Sequence, residues 1–151
     1  MRKIIPKKSD PTFKEKLFNT FRELFIHHYS SLEFRAKLFA LVIAASGRYD
    51  VKLLELIQVF GMEIYQNKER AHFLVLTTQE YCDNAINIQN GNLDSLIESI
   101  VKEAKRVPRY TKKIDIDHLR AITRFNADPV TSIYQERILE FLETMKKDNE
   151  K

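Results

Sequence analysis

Four groups of residues have types and spacings that invite a chemical reading. The first is His27-His28. Adjacent side chains on a helix diverge by about 100°, so the pair does not converge on one metal ion as an i,i+4 pair would. A histidine close to a helix C-terminus is favoured by the negative end of the dipole, and a capping or surface role is expected. His72 and His118 stand alone, with no HExxH, HxH or Cys/His spacing around them. The second group is Cys82, the single cysteine, set between Tyr81 and Asp83. One cysteine excludes an intrachain disulfide and a multi-cysteine metal site. With no histidine nearby in sequence, Cys82 reads as a small buried filler and not as a nucleophile. The third pair, Asp115 and Asp117, flanks Ile116 without catalytic context and reads as a helix cap. No GxSxG, P-loop or dinucleotide glycine fingerprint occurs, and three scattered glycines do not build one. No cofactor is expected.

The fourth group is the basic run KEAKRVPRYTKK, residues 102–113, with six basic residues and one acidic residue. Arg106, Arg109, Lys112 and Lys113 surround Tyr110, which joins positive charge to a side chain able to stack on a base. A recognition helix dense in Arg, Asn and Gln is lacking, as are zinc and RRM signatures. Contact with a protein partner is therefore expected over a nucleic-acid role, and non-specific contact with an anion or a phospholipid surface stands level with nucleic acid as the alternative use of the run. Charge is polarised along the chain. Residues 1–16 carry six basic and two acidic groups, whereas residues 50–100 carry three basic and eight acidic groups. Separated fields of opposite sign favour an anionic partner or self-association.

These side chains need elements to hold them. A chain of 151 residues with 44 % apolar and 30 % charged residues is sized and composed as one folded domain. Residues 1–11 read as a flexible basic leader, 12–147 as a helical domain and 148–151 as a disordered tail. Helices are expected over Thr12–His28, Leu32–Ser46 with Ser31 as cap, and Val51–Gln66 after an Asp50 cap. A short helix capped by Asn67 follows. The Thr77-Thr78-Gln79-Glu80 spacing matches a capping box opening another helix at Gln79, which Gln89-Asn90-Gly91 ends. Asn92 then caps Leu93–Lys105, and residues 106–115 read as a loop. Helices follow over Ile116–Phe125 and after Asp128-Pro129. In the last one, Ile133, Ile138, Leu139, Phe141, Leu142 and Met145 are the apolar positions, and KKDNEK frays. No strand is convincing, so the fold class is an all-α single-domain bundle of about seven or eight helices.

The unbroken apolar run Leu38–Ala45 is the centre of that bundle. As a helix it is about 12 Å long, far short of a membrane span. The charged residues of its helix, Glu33, Arg35 and Lys37, all sit in the first turns, so a central helix covered on several sides is expected. Gly47 ends it in a left-handed turn.

The segment Ala45-Ser46-Gly47-Arg48-Tyr49-Asp50 resembles the glycine corner of TerB-like (tellurite-resistance) domains, which also open DjlA-type DnaJ-like co-chaperones. Ala45, Gly47 and Asp50 match that family's alanine, glycine and following acid, and Tyr49 loosely matches its aliphatic position. Ser46 replaces its first aspartate, and Leu53 stands where it commonly has glutamate. The resemblance covers residues 32–145 in pattern and only the corner as a motif. It implies an all-α interaction domain, stress- or chaperone-related, in the cytoplasm or at the inner membrane face. Arg48 and Tyr49 at the corner, with the basic loop, are its expected contact residues. Asp50 is a weak metal candidate, since one hydroxyl and one carboxylate are few ligands for a hard cation. A J domain's His-Pro-Asp triplet is absent from the sequence. A metal-binding or enzymatic site assembled only in three dimensions is the alternative reading.

Overall fold

The computed structural model describes residues 30–47, 50–125 and 128–150. The basic leader, the helix expected over Thr12–His28, the His27-His28 pair, Arg48 and Tyr49 lie outside them. Labels count from the first described helix: α1 Ser30–Ala44, α2 Val51–Tyr65, α3 Lys68–Asp83, α4 Asp94–Arg106, α5 Ile116–Thr123 and α6 Pro129–Asp148. A π turn, Asn84–Ile88, extends α3, and a 3-10 helix, Pro108–Lys113, follows α4. Among the described residues there is no strand, and no helix is long and apolar enough to cross a membrane. The fold is an all-α bundle.

From Ala36 to Ala44 every residue of α1 is buried. Five helices and the 3-10 helix supply its neighbours. Phe39 stacks on Phe60 of α2, Cys82 of α3 lies against the Ala40 carbonyl, and Lys37 pairs with Glu103 of α4. Phe34 tilts against Tyr110 of the 3-10 helix, Phe39 against His118 of α5, and Gln135 of α6 reaches the Val42 carbonyl. The last four carbonyls of a helix lack in-helix donors. At the end of α1, Ala45, Ser46 and Gly47 N–H groups serve Leu41, Ile43 and Ala44. The buried Gln135 amide serves Val42 at 2.8 Å. Gly47 then turns the chain at φ 81°.

Local chemistry sets most boundaries. Asp50, Asn67 and Asp115 accept from the N–H groups of Leu53, Arg70 and His118 at 3.1, 2.9 and 3.1 Å. Asp128 accepts from Val130 at 3.2 Å ahead of Pro129. Two expected caps are corrected. Ser30 and Ser31 are already helical, so Ser31 is no N-cap. Thr77 and Thr78 lie inside the continuous α3, where their hydroxyls donate to the Phe73 and Leu74 carbonyls, each at 2.7 Å. Both threonines are buried, and four-back bonding satisfies their hydroxyls without breaking the helix. At the other end of the chain, α6 persists through Asp148 where fraying was expected, because Lys146 Nζ donates to the Ile114 carbonyl at 2.7 Å.

Candidate functional site: a basic ridge at a helical corner

Residues 106–115, expected as a loop, hold the 3-10 helix. Pro108 has no N–H to lose, so it closes α4 and opens the next turn. Tyr110 N–H donates to Val107 at 2.9 Å, and the Thr111 hydroxyl donates to Pro108 at 2.8 Å. Tyr110, Thr111 and Ile114 turn into the core, and the Tyr110 and Phe34 rings lie 5.5 Å apart. This corrects the expected role of Tyr110. The residue is 4 % exposed and its ring is taken up by packing, so it offers no stacking platform to a base.

What remains outside is charge. Lys102, Lys105 and Arg106 share one side of α4 at i, i+3 and i+4. Arg109 and Lys112, three apart in a 3-10 helix, eclipse one another. All five are exposed. The nearby acid, Glu103, sits 2.7 Å from Lys37 and 3.9 Å from Arg106, and its side chain is only 14 % exposed. The helix C-terminus accounts for some attraction to Lys105 and Arg106. It does not neutralise Lys102, Arg109 or Lys112. Lys113 is half-buried and lines a different recess, beside Asp115 and His118.

That recess is what the sequence did not reveal. His118 stacks on Phe60 with ring centres 4.1 Å apart. Its Nε2 is 3.0 Å from Glu63 of α2, and its Nδ1 is 3.4 Å from Asp115 Oδ2 without hydrogen-bond geometry. The two carboxylates meet opposite ring nitrogens, so the three groups do not converge on one ion. Among the described residues no cluster of three His, Cys, Asp or Glu side chains forms a metal-binding group. Asp50 commits its carboxylate to the α2 cap. The cavity beside His118 is about 10 Å³, room for one water and not for a substrate. His118 is therefore a brace between α2 and α5. Cys82 is fully buried, and burial pushes its thiol far up in pKa, away from the nucleophilic thiolate.

Close to the recess, the Tyr65 hydroxyl is buried without a hydrogen-bond partner, and Arg35 lies over its ring at 5.6 Å. Burial pushes its pKa up to about 12 against the pull of Arg35 and Arg70. The folded state thus holds this proton more tightly than the unfolded chain. The contribution is complete below about pH 10 and is lost as pH rises toward 12, by about 2 kcal/mol. Tyr65→Phe is expected to abolish that alkaline loss and, at neutral pH, to leave stability unchanged or raise it by about 1 kcal/mol. Urea unfolding at pH 8 and pH 11 checks both; an unaltered alkaline slope in the variant refutes the assignment.

Compared with known proteins, the chain matches no family model, no curated protein and no solved structure.

Proposed function

We propose that the chain is a non-enzymatic helical interaction domain that docks an acidic protein surface on the ridge Lys102–Lys112. One observation carries this reading: five exposed cations follow one another around a rigid corner whose local acid is already engaged. Buried Tyr110, Thr111 and Ile114 hold the corner still, so presenting the charges costs little ordering entropy. The small volume of the recess beside His118 agrees with a binding role. So does the resemblance to TerB-like domains, within which a stress- or chaperone-related task in the cytoplasm or at the inner membrane face is the reading proposed.

The test is charge reversal. Replacing Lys105, Arg106, Arg109 and Lys112 together by Glu is expected to abolish partner recovery in a tagged pull-down at moderate salt. Helicity should stay as it was, because these side chains point outward, while the unfolding midpoint falls modestly, since Glu replaces cations at the C-terminus of α4 and beside Glu103. Wild-type binding should weaken steeply with added salt. Undiminished recovery of the same partner by the variant refutes the ridge. A gel shift with bare DNA that vanishes in the variant would instead establish a phosphate-binding role without base stacking.

A further inference from the structure

We propose that the outward face of α6 is a self-association surface that joins two copies of this chain as an antiparallel helix pair about a two-fold axis. Val130, Ile133, Tyr134 and Phe141 are exposed at 75, 62, 46 and 39 %. Ile133 and Phe141, two of the expected apolar positions of this helix, thus lie outside the core. At about 100° per residue, Val130, Tyr134, Arg137 and Phe141 lie within about 60° of one another, with Ile133 at the margin. The core uses the opposite side, where Gln135, Leu139 and Leu142 are buried. So α6 carries two apolar faces, and the bundle covers one.

The charges on the uncovered face select the occupant. Arg137 stands at its centre, exposed and with no ion-pair partner among the described residues. A purely apolar partner would bury that guanidinium unpaired, at a large desolvation penalty. Glu140, also exposed, borders the face and offsets Arg137. The face therefore lacks the excess of basic residues that draws an amphipathic helix to an anionic bilayer. A second copy needs no such excess and can cover the guanidinium. Along the helix, Tyr134 and Arg137 share a midpoint with Val130 and Phe141. One two-fold axis at that midpoint sets Val130 against the partner's Phe141 and Tyr134 against the partner's Arg137, each contact made twice. The guanidinium then lies on a tyrosine ring, a cation–π contact that covers its charge. Moving the axis to Arg137 would oppose two guanidinium groups, which disfavours that register.

Sedimentation velocity on the full chain tests this. With rising protein concentration the wild type is expected to pass from monomer to dimer. Phe141→Glu introduces a charge at both copies of the contact, and the dissociation constant should rise about a hundredfold or more, with circular dichroism and unfolding midpoint unchanged. A mixture of Val130→Cys chains with Phe141→Cys chains, oxidised mildly, should give mixed disulfide dimers in preference to either pure dimer. A wild type that stays monomeric at high micromolar concentration overturns the proposal. So does a dimer indifferent to Phe141→Glu, or cross-linking confined to like chains. None of these measurements involves the basic ridge, so failure here leaves the ridge assignment to its own test.

Discussion

Glu103→Ala is expected to destabilise the fold by about 3 kcal/mol, mainly by stranding a charge in the core. Lys37 enters from α1, with its side chain 9 % exposed, and meets Glu103 Oε2 at 2.7 Å. Its Nζ also lies 5.7 Å from the centre of the Tyr81 ring, and the Tyr81 hydroxyl donates to Glu33. The pair thus ties α4, α1 and α3 together through one ammonium. Removing the carboxylate leaves the ammonium with a ring face but no anion. The reverse change, Lys37→Met, should cost less, because Glu103 keeps Arg106 at 3.9 Å and a little contact with solvent. Replacing both, as Lys37→Met with Glu103→Leu, should recover most of the loss, since an apolar pair of similar volume carries no desolvation penalty. Urea unfolding of the four chains closes a double-mutant cycle. A cost below about 1 kcal/mol for Glu103→Ala would mean that the pair is solvated like a surface ion pair.

That pair also marks where sequence reading stops. Caps are local: Asp50, Asn67 and Asp128 each bond an N–H two or three residues onward, and a single stretch of sequence contains both partners. Gly47 is equally legible, because a left-handed turn asks for a residue without a side chain. The all-apolar stretch after Lys37 announced a covered helix, and the structure surrounds it on all sides. Lys37 and Glu103, by contrast, are 66 residues apart, and His118 and Glu63 are 55 apart. Nothing at either end declares its partner. Thr77 and Thr78 misled for a related reason. A threonine followed three residues later by glutamate is a capping signal only when the backbone before it is free to leave the helix. Here Leu74 and Cys82 are both buried on α3, and packing carries the helix through.

The ridge divides in the same way. Its cations were legible from composition alone, since long basic side chains in a proline-interrupted stretch rarely find burial. The inward turn of Tyr110 was not, because it depends on Phe34 arriving from α1. That one contact changes the chemistry on offer, from stacking plus charge to charge alone. On α6 periodicity is informative only in part. A helical period of apolar residues says that a face is apolar and not what covers it, so the apolar positions Ile133 and Phe141 did not declare their exposure.

Gly61→Ala should destabilise by about 2 kcal/mol, against the sign that helix propensity predicts. At an exposed helical site the same change would stabilise by about 1 kcal/mol. Here α2 and α3 cross with Gly61 against Ala71, and a Cβ at position 61 would stand 2.7 Å from the Ala71 Cα and 2.8 Å from its Cβ. The Cα belongs to the α3 backbone at a buried residue, so no rotamer change relieves the contact. The helices must separate instead, loosening Phe60 from Phe39 and from His118. Overpacking of this kind costs about 1–3 kcal/mol. Gly61→Leu should exceed what the helix pair accommodates and leave little folded protein. Ala71→Gly in the Gly61→Ala background removes the Cβ clash but not the Cα clash, so it should restore part of the loss while costing stability on its own. Thermal and urea unfolding of the single and double variants read that coupling. A Gly61→Ala protein more stable than the parent would place the two helix axes farther apart than the structure does, and the position of Glu63 beside His118 would lose its physical basis.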